Sequence, residues 1–219
     1  QARGFLLGGT AGRTTLNGEG LQHQDGHSHL LSSTVPNCIS YDPCYAFELA
    51  VIIREGMRRM FVEQESVYYY ITVMNETYQH PAMPQGVEEG ILKGMYLLEE
   101  GAKKTPRVNL LGSGTILRES QFARELLAKD WGVAASVWSC PSFNELTRDG
   151  QDCERWNMLH PTLPPQKSYV AQTLGDKPDL CLAASDYVRA LPEQIAPYLA
   201  GEFFALGTDG LGRSDTREN

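Results

Sequence analysis

The second part of the chain alternates short apolar segments with amphipathic ones, and this alternation constrains the fold more strongly than any other sequence feature. Residues 107–111 and 133–139 are apolar and partly β-branched, which predicts strands, and residues 116–130 between them predict a helix. A helix that connects two consecutive strands is the crossover of a parallel pair. The sequence therefore predicts an α/β fold, in which parallel sheets carry helices on both faces.

The first part of the chain contains the same pattern in a shorter form. Residues 37–41 and 67–74 predict strands on either side of a helix over residues 44–61. The Asp42-Pro43 dipeptide supplies an N-cap and a first-turn proline, so we expect the helix to begin there. Its apolar face is expected to point away from Glu48.

A segment rich in proline and glycine, residues 75–86, separates the two parts and predicts an exposed linker. We place a domain boundary near its end, which divides the chain into domains 1–83 and 84–219. The elements expected beyond the boundary are a short helix over 87–99, a helix from Ser142 to about Gly150, strands over 168–173, 180–184 and 202–206, and a helix over 191–199.

The composition excludes some classes of partner. The chain has 219 residues and a net charge of −8, which argues against nucleic acid or an anionic membrane bound through bulk charge. No apolar run approaches the roughly 20 residues that a membrane span needs, and no signal pattern is present. Five cysteines without a CxxC pair indicate reduced thiols. We therefore expect a cytoplasmic protein without nucleic-acid or membrane partners.

A loop over residues 18–29 carries the densest chemistry of the chain. It contains His23, His27, His29 and Asp25 among several glycines, and such a segment contributes almost nothing to a core. Three interpretations stay open at this point. The histidines and Asp25 could bind a metal ion, an imidazole could orient a substrate or transfer a proton, or the loop could be structural.

Three other motifs each have a functional and a structural interpretation. The turn over residues 112–114 lies between a strand and a helix, where it could bind a phosphate or close without a ligand. Residues 149–156 could line a cleft, with Cys153 as a nucleophile, or form a solvated helix face. Arg213 and Arg217 could clamp an anion or pair with neighbouring aspartates.

Longer stretches resemble a known family. Residues 109–128, 133–137, 140–146 and 207–214 resemble the C-terminal domain of the transketolase superfamily. Narrower motifs resemble the homodimeric pyruvate dehydrogenases of bacteria within that superfamily; they are GRTTLNGEGLQH at 12–23, DGHSH at 25–29, PNCISYDP at 36–43, YYYIT at 68–72 and RDGQDCERWNMLHP at 148–161. The resemblance implies the end of a thiamine-pyrimidine-binding domain followed by a transketolase C-terminal-like domain.

The resemblance also implies an activity, cofactors and partners. Such enzymes decarboxylate pyruvate with thiamine diphosphate and Mg²⁺, and they transfer the acetyl group to the lipoyl domain of a dihydrolipoamide acetyltransferase. They are homodimers. The Gly-Asp-Gly motif that binds the diphosphate and metal in the family does not occur here. We therefore expect the cofactor and metal ligands to lie outside this chain, and the chain alone to be inactive.

The same resemblance assigns individual residues. His23 matches the histidine that contacts the substrate carboxylate or the cofactor-bound intermediate, and Glu19 matches a glutamate of the same loop. Both are predicted catalytic residues, with His23 also binding substrate, whereas His27 and His29 are expected to support the loop. No metal ligand is predicted in the chain. The alternatives are another transketolase-superfamily enzyme, such as transketolase itself, and a non-catalytic dimerisation or docking module.

Overall fold

A computed structural model describes residues 2–9, 23–103, 105–176, 179–208 and 210, and it shows an α/β protein with two sheets. In the first sheet, strands β1 (Phe5–Gly8) and β2 (Cys38–Tyr41) both pair in parallel with β3 (Tyr68–Thr72), in the order β1-β3-β2. The parallel pairing predicted for residues 37–41 and 67–74 is therefore confirmed, and β1 is an additional strand that the sequence analysis missed.

The second sheet is mixed and has the order β4-β6-β5-β7-β8. Its strands are β4 (Tyr96–Glu99), β5 (Arg107–Gly112), β6 (Ala134–Ser139), β7 (Leu180–Ala184) and β8 (Phe203–Leu206). All neighbouring pairs are parallel except β4 and β6, which are antiparallel. The helix predicted over residues 87–99 is therefore wrong at its end, where residues 96–99 form the edge strand β4.

Helices pack on both faces of the second sheet. Because side chains alternate along a strand, Leu110 of β5 packs on one face and Leu111 on the other. Leu110 belongs to a cluster with Leu127 of a helix, whereas Leu111 packs with Phe143 and Val170 of two others. Along the described part of the chain as a whole, the α-helices are α1 (Ser28–Ser33), α2 (Ala46–Met57), α3 (Glu88–Lys93), α4 (Ile116–Asp130), α5 (Phe143–Leu159), α6 (Tyr169–Leu174) and α7 (Ala190–Glu193). The predicted fold class is confirmed.

Three predicted elements of the second domain were wrong. Helix α5 does not end near Gly150 but continues to Leu159, and Gly150 packs directly against the ring of Tyr198, where a larger side chain would clash. Residues 168–173 are not a strand, because Ser168 caps α6 by accepting a hydrogen bond from the Ala171 amide. The helix predicted over 191–199 is divided between α7 and a 3₁₀ turn, Ala196–Tyr198, that contains Pro197.

The start of helix α2 also differs from the prediction. Its N-cap is Tyr45 rather than Asp42, and the carboxylate of Glu48 accepts hydrogen bonds from the amides of Cys44 at 2.6 Å and Tyr45 at 2.9 Å. Glu48 is completely buried, contrary to expectation. At its other end α2 passes into a π-helical turn, Arg58–Val62. The buried Glu48 side chain therefore supplies the hydrogen-bond acceptor for main-chain amides at the N-terminus of α2.

Residues 73–87 form neither helix nor strand, as expected for a linker. Helix α3, which follows them, packs through Ile91 into the core of the first sheet. The domain boundary near residue 84 remains a prediction. In the part of the chain that the structure describes, no helix combines the length and hydrophobicity needed to cross a bilayer.

Candidate active site

The predicted catalytic histidine lies at the surface, just before helix α1. His23 is exposed, and Asp25 follows it as the anchor of the helix start. The carboxylate of Asp25 accepts hydrogen bonds from the amides of His27 at 3.2 Å and Ser28 at 3.0 Å, and also from the Ser28 hydroxyl. The carboxylate of Asp25 thus holds the backbone that follows His23. Glu19 lies outside the described residues.

His29 is buried, with only 3% of its surface exposed. Its Nε2 lies 2.8 Å from Oγ1 of Thr72, and its ring contacts Tyr70 and the edge of Tyr187, with centroid distances of 5.3 and 4.8 Å. Burial lowers the pKa of His29 to about 4, although Asp25 acts in the opposite direction. His29 is therefore neutral near pH 7 and faces the protein interior, consistent with a supporting role.

The histidines of the loop do not converge on one point. His29 is engaged with Thr72, whereas His23 and His27 are exposed. Among the residues that the structure describes, no group of three histidine, cysteine, aspartate or glutamate side chains is arranged to hold a metal ion. The described geometry therefore gives no support to the metal interpretation of this loop.

Asp42 joins the two sheets through a buried hydrogen-bond network that the sequence analysis missed. Its Oδ1 accepts from the Thr72 hydroxyl at 2.7 Å and its Oδ2 from the Ser113 hydroxyl at 2.9 Å. Its main chain bonds to Gly114 and Pro141. Burial raises the pKa of Asp42 to about 7, against these two hydroxyl donors. When Asp42 is ionised, the Thr72 hydrogen points toward it, so His29 Nε2 donates to Thr72.

Asp42 occupies the hydrogen-bond donors of the turn over residues 112–114. The Ser113 hydroxyl and the Gly114 amide, which could have bound a phosphate, both donate to Asp42. Gly114 has φ +48°, and a Cβ at this position would lie 2.5 Å from Oδ2 of Asp42. Glycine is required at position 114 because the residue has a left-handed backbone conformation and lies against the Asp42 carboxylate. The geometry supports the ligand-free interpretation.

Asn144 forms a second polar junction close by. It lies in the first turn of α5 and is 2% exposed, and its Nδ2 donates to the carbonyl of His29 at 2.8 Å and to Oγ of Ser40 at 2.6 Å. His29, Asp42, Ser113 and Asn144 line a cavity of about 10 Å³, which is close to the size of one water molecule. The loop with His23 thus continues into α1, which is hydrogen-bonded through His29 to Thr72 of β3 and to Asn144 of α5.

Glu48 forms a third junction, beside β4 and β6. Besides the two amides at the start of α2, its carboxylate accepts hydrogen bonds from the hydroxyls of Tyr96 at 2.7 Å and Ser139 at 2.5 Å. Burial raises the pKa of Glu48, while all of these donors act to lower it. The sequence offered one signal for this residue, namely its position three residues after the N-cap, where a glutamate often reaches back to cap the helix.

Of the remaining sequence candidates, the structure describes only residues 149–156, and it gives them no support as reaction groups. Residues 149–156 lie on α5, where Gln151, Asp152, Glu154 and Arg155 are exposed, as expected for a solvated face. Cys153 is half-buried, and burial raises the pKa of its thiol, which disfavours the thiolate. Arg213 and Arg217 lie outside the described residues.

Comparison with known proteins reveals similarity along the entire chain. Proteins named pyruvate dehydrogenase E1 component from Cupriavidus necator, Pseudomonas aeruginosa and Escherichia coli K12 are 60%, 62% and 61% identical to it. Each alignment covers 100% of this chain and 25% of the relative, so the chain spans about a quarter of the length of these relatives.

Transketolases are among the solved structures with the same fold. Those from Campylobacter jejuni and Leishmania mexicana superpose with TM-scores of 0.68 and 0.64 at 15% identity. The alignments cover 98% and 96% of this chain and 28% and 26% of the two transketolases, and at this identity they show the fold alone.

Two family models divide the chain between them. Residues 1–81 match the pyruvate dehydrogenase E1 component middle domain, and residues 94–219 match the transketolase-like C-terminal domain. The second match covers more than half of the chain, and its residues include the whole second sheet. The chain therefore belongs to the family of transketolase-like C-terminal domains, here preceded by a pyruvate dehydrogenase E1 middle-domain segment.

Proposed function

We propose that this chain is part of a pyruvate dehydrogenase E1 component, which decarboxylates pyruvate and passes the acetyl group to the lipoyl domain of a dihydrolipoamide acetyltransferase. The observation that carries the proposal is the end-to-end similarity to proteins of that name, which ranges from 50% to 62% identity. The proposal includes a homodimeric enzyme in the cytoplasm. It also includes thiamine diphosphate and Mg²⁺ as cofactors.

The described residues do not fit the diphosphate or the metal ion. They include no cluster of three potential metal ligands, and the donors of the turn at residues 112–114 are engaged by Asp42. The cofactor ligands are proposed to lie elsewhere in the enzyme, because the Gly-Asp-Gly motif of the family does not occur in this chain. What this chain contributes to the reaction is an imidazole and its support.

His23 is the residue proposed to act on the substrate. It is exposed, and the backbone after it is held by Asp25 and by contacts with the second domain. A positioned imidazole can donate a hydrogen bond to a carboxylate or to negative charge that develops on an oxygen. Glu19 is proposed as its acidic neighbour on the basis of the sequence resemblance. The role of His23 is thus to orient pyruvate and stabilise charge.

The test is substrate turnover by the full-length protein supplied with thiamine diphosphate and Mg²⁺. Release of CO₂ from pyruvate, with reduction of an artificial electron acceptor, is the expected result. Ketose and aldose phosphates serve as the comparison, because a transketolase would exchange two-carbon units between them without releasing CO₂. Turnover of sugar phosphates and not of pyruvate would overturn the proposal.

A further inference from the structure

Two main-chain carbonyls of the segment that carries His23 accept hydrogen bonds from the second domain. The carbonyl of Gly26 accepts a hydrogen bond from the Val188 amide at 2.9 Å. The carbonyl of His29 accepts one from Nδ2 of Asn144 at 2.8 Å. One of these bonds is between main-chain groups and does not depend on side-chain identity, whereas the other depends entirely on Asn144.

Asn144 is itself held from several directions. Its Nδ2 also donates to Oγ of Ser40 and, at 3.3 Å, to Oγ of Ser32, while its Oδ1 accepts from Nε2 of Gln194 at 3.3 Å. The N-cap of its helix, Ser142, donates to the carbonyl of Ser40 at 2.7 Å. The amide thus ties together α1, β2, α5 and the segment after α7. A side chain with this many partners has one orientation.

We propose that Asn144 is a positioning residue, through which the second domain sets the placement of the His23 imidazole. This inference rests on the proposed function of His23. A catalytic group displaced by about 1 Å can lose two orders of magnitude in rate, so the framework behind it matters for turnover. Asn144 does not touch the substrate. It acts through the carbonyl of His29 and the start of α1.

The variant that tests this role is Asn144→Asp in the full-length protein. The substitution keeps the shape but replaces a double donor with a carboxylate that faces the oxygens of His29, Ser32 and Ser40. Asn144→Ala removes the donors without adding charge and serves if the aspartate variant does not fold. The matched control is Asn157→Asp on the same helix, because the Asn157 amide bonds to Gln166 and not to α1.

Two measurements are required. Hydrogen exchange of the peptide that spans residues 24–33 is expected to become about tenfold faster in the Asn144 variant and to stay unchanged in the Asn157 control. The kcat for pyruvate is expected to fall about tenfold in the same variant, as expected for a misplaced group. Unchanged exchange in the peptide, or equal effects in the Asn157 control, would overturn the inference.

A double variant separates positioning from general damage. If Asn144 acts through His23, the second substitution should cost little further kcat once His23→Ala has removed the imidazole. An equal loss of kcat in both backgrounds would show that Asn144 has only a structural role, and would overturn the inference. If the wild-type protein does not turn over pyruvate, the proposed function fails. In that case the exchange comparison still decides whether Asn144 holds the segment.

Discussion

The carboxylate of Asp42 accepts a hydrogen bond from the hydroxyl of Ser113, at 2.9 Å, across the junction of the two sheets. The same carboxylate accepts from Thr72, which in turn contacts His29. A continuous series of hydrogen bonds therefore connects the histidine segment to the turn after β5. The contributions of the individual residues in this series to stability and to its pH dependence can be measured separately.

Asp42 should make stability depend on pH. Its pKa rises from 3.8 to about 7 on folding, so the folded state binds the proton more tightly than the unfolded chain does. The resulting stabilisation is complete below the unfolded pKa and is lost as the pH rises through about 7. Asp42→Asn should remove this loss, as measured by urea unfolding midpoints from pH 4 to 8. The exposed Asp130→Asn variant should keep it, and an unchanged profile in Asp42→Asn would refute the assignment.

His29 should contribute the opposite dependence. Its pKa falls from 6.5 to about 4 on folding, so its stabilisation is present above pH 6.5 and is lost as the pH falls through about 4. His29→Gln keeps a donor toward Thr72 but cannot titrate. The midpoint of the variant relative to wild type should therefore increase as the pH falls between those values. His160→Gln, at an exposed position, is the control, and equal profiles for both variants would contradict the prediction.

Gly114 should be intolerant of any side chain. It combines φ +48° with a Cβ position 2.5 Å from Oδ2 of Asp42, so alanine adds both strain and a clash. We expect Gly114→Ala to lower the free energy of unfolding by more than about 2 kcal/mol. Gly132 has φ +67° but no atom within 4 Å of its Cβ position, so Gly132→Ala should cost only about 1 kcal/mol. Equal costs would show that contact with Asp42 is unimportant.

Glu48 should be a major contributor to stability. Four donors converge on its buried carboxyl group, and Glu48→Ala would leave them without an acceptor. Stranding buried donors in this way should cost about 3 kcal/mol or more in the free energy of unfolding, as measured by chemical denaturation. Glu125→Ala, on the exposed side of α4, should change it by less than about 0.5 kcal/mol. A small effect at Glu48 would mean that water replaces the carboxylate.

His23 should affect turnover without affecting stability. Its side chain is exposed, so His23→Ala in the full-length enzyme should leave the unfolding midpoint unchanged. The kcat for pyruvate should fall by about 10²-fold, within the range for a positioned acid–base group. His27→Ala removes another exposed imidazole of the same segment and should retain near-normal turnover. Near-normal turnover of the His23 variant would exclude the proposed role.

The predicted elements that are wrong lie where local secondary-structure propensity is overridden by strand pairing, helix capping or core packing. Tyr96–Glu99 is a strand because its neighbour β6 offers an unpaired edge, although the sequence before it reads as helix. Tyr169 and Val170 have strand propensity, yet Ser168 and the surrounding core make this segment a helix. Gly150 marks a close approach to Tyr198 inside a helix rather than its end.

The sequence alone determined the α/β class and the parallel pairs, and it singled out the segment that carries His23, because apolar periodicity and the density of glycine and histidine are local properties. Only the tertiary structure decided that Asp42, Thr72 and Ser113 share one buried network and that Asn144 holds the start of α1. Asp42 and Ser113 are 71 positions apart, and Asn144 and His29 are 115 positions apart. Such contacts depend on how two sheets pack together, and no local pattern of residues records that packing.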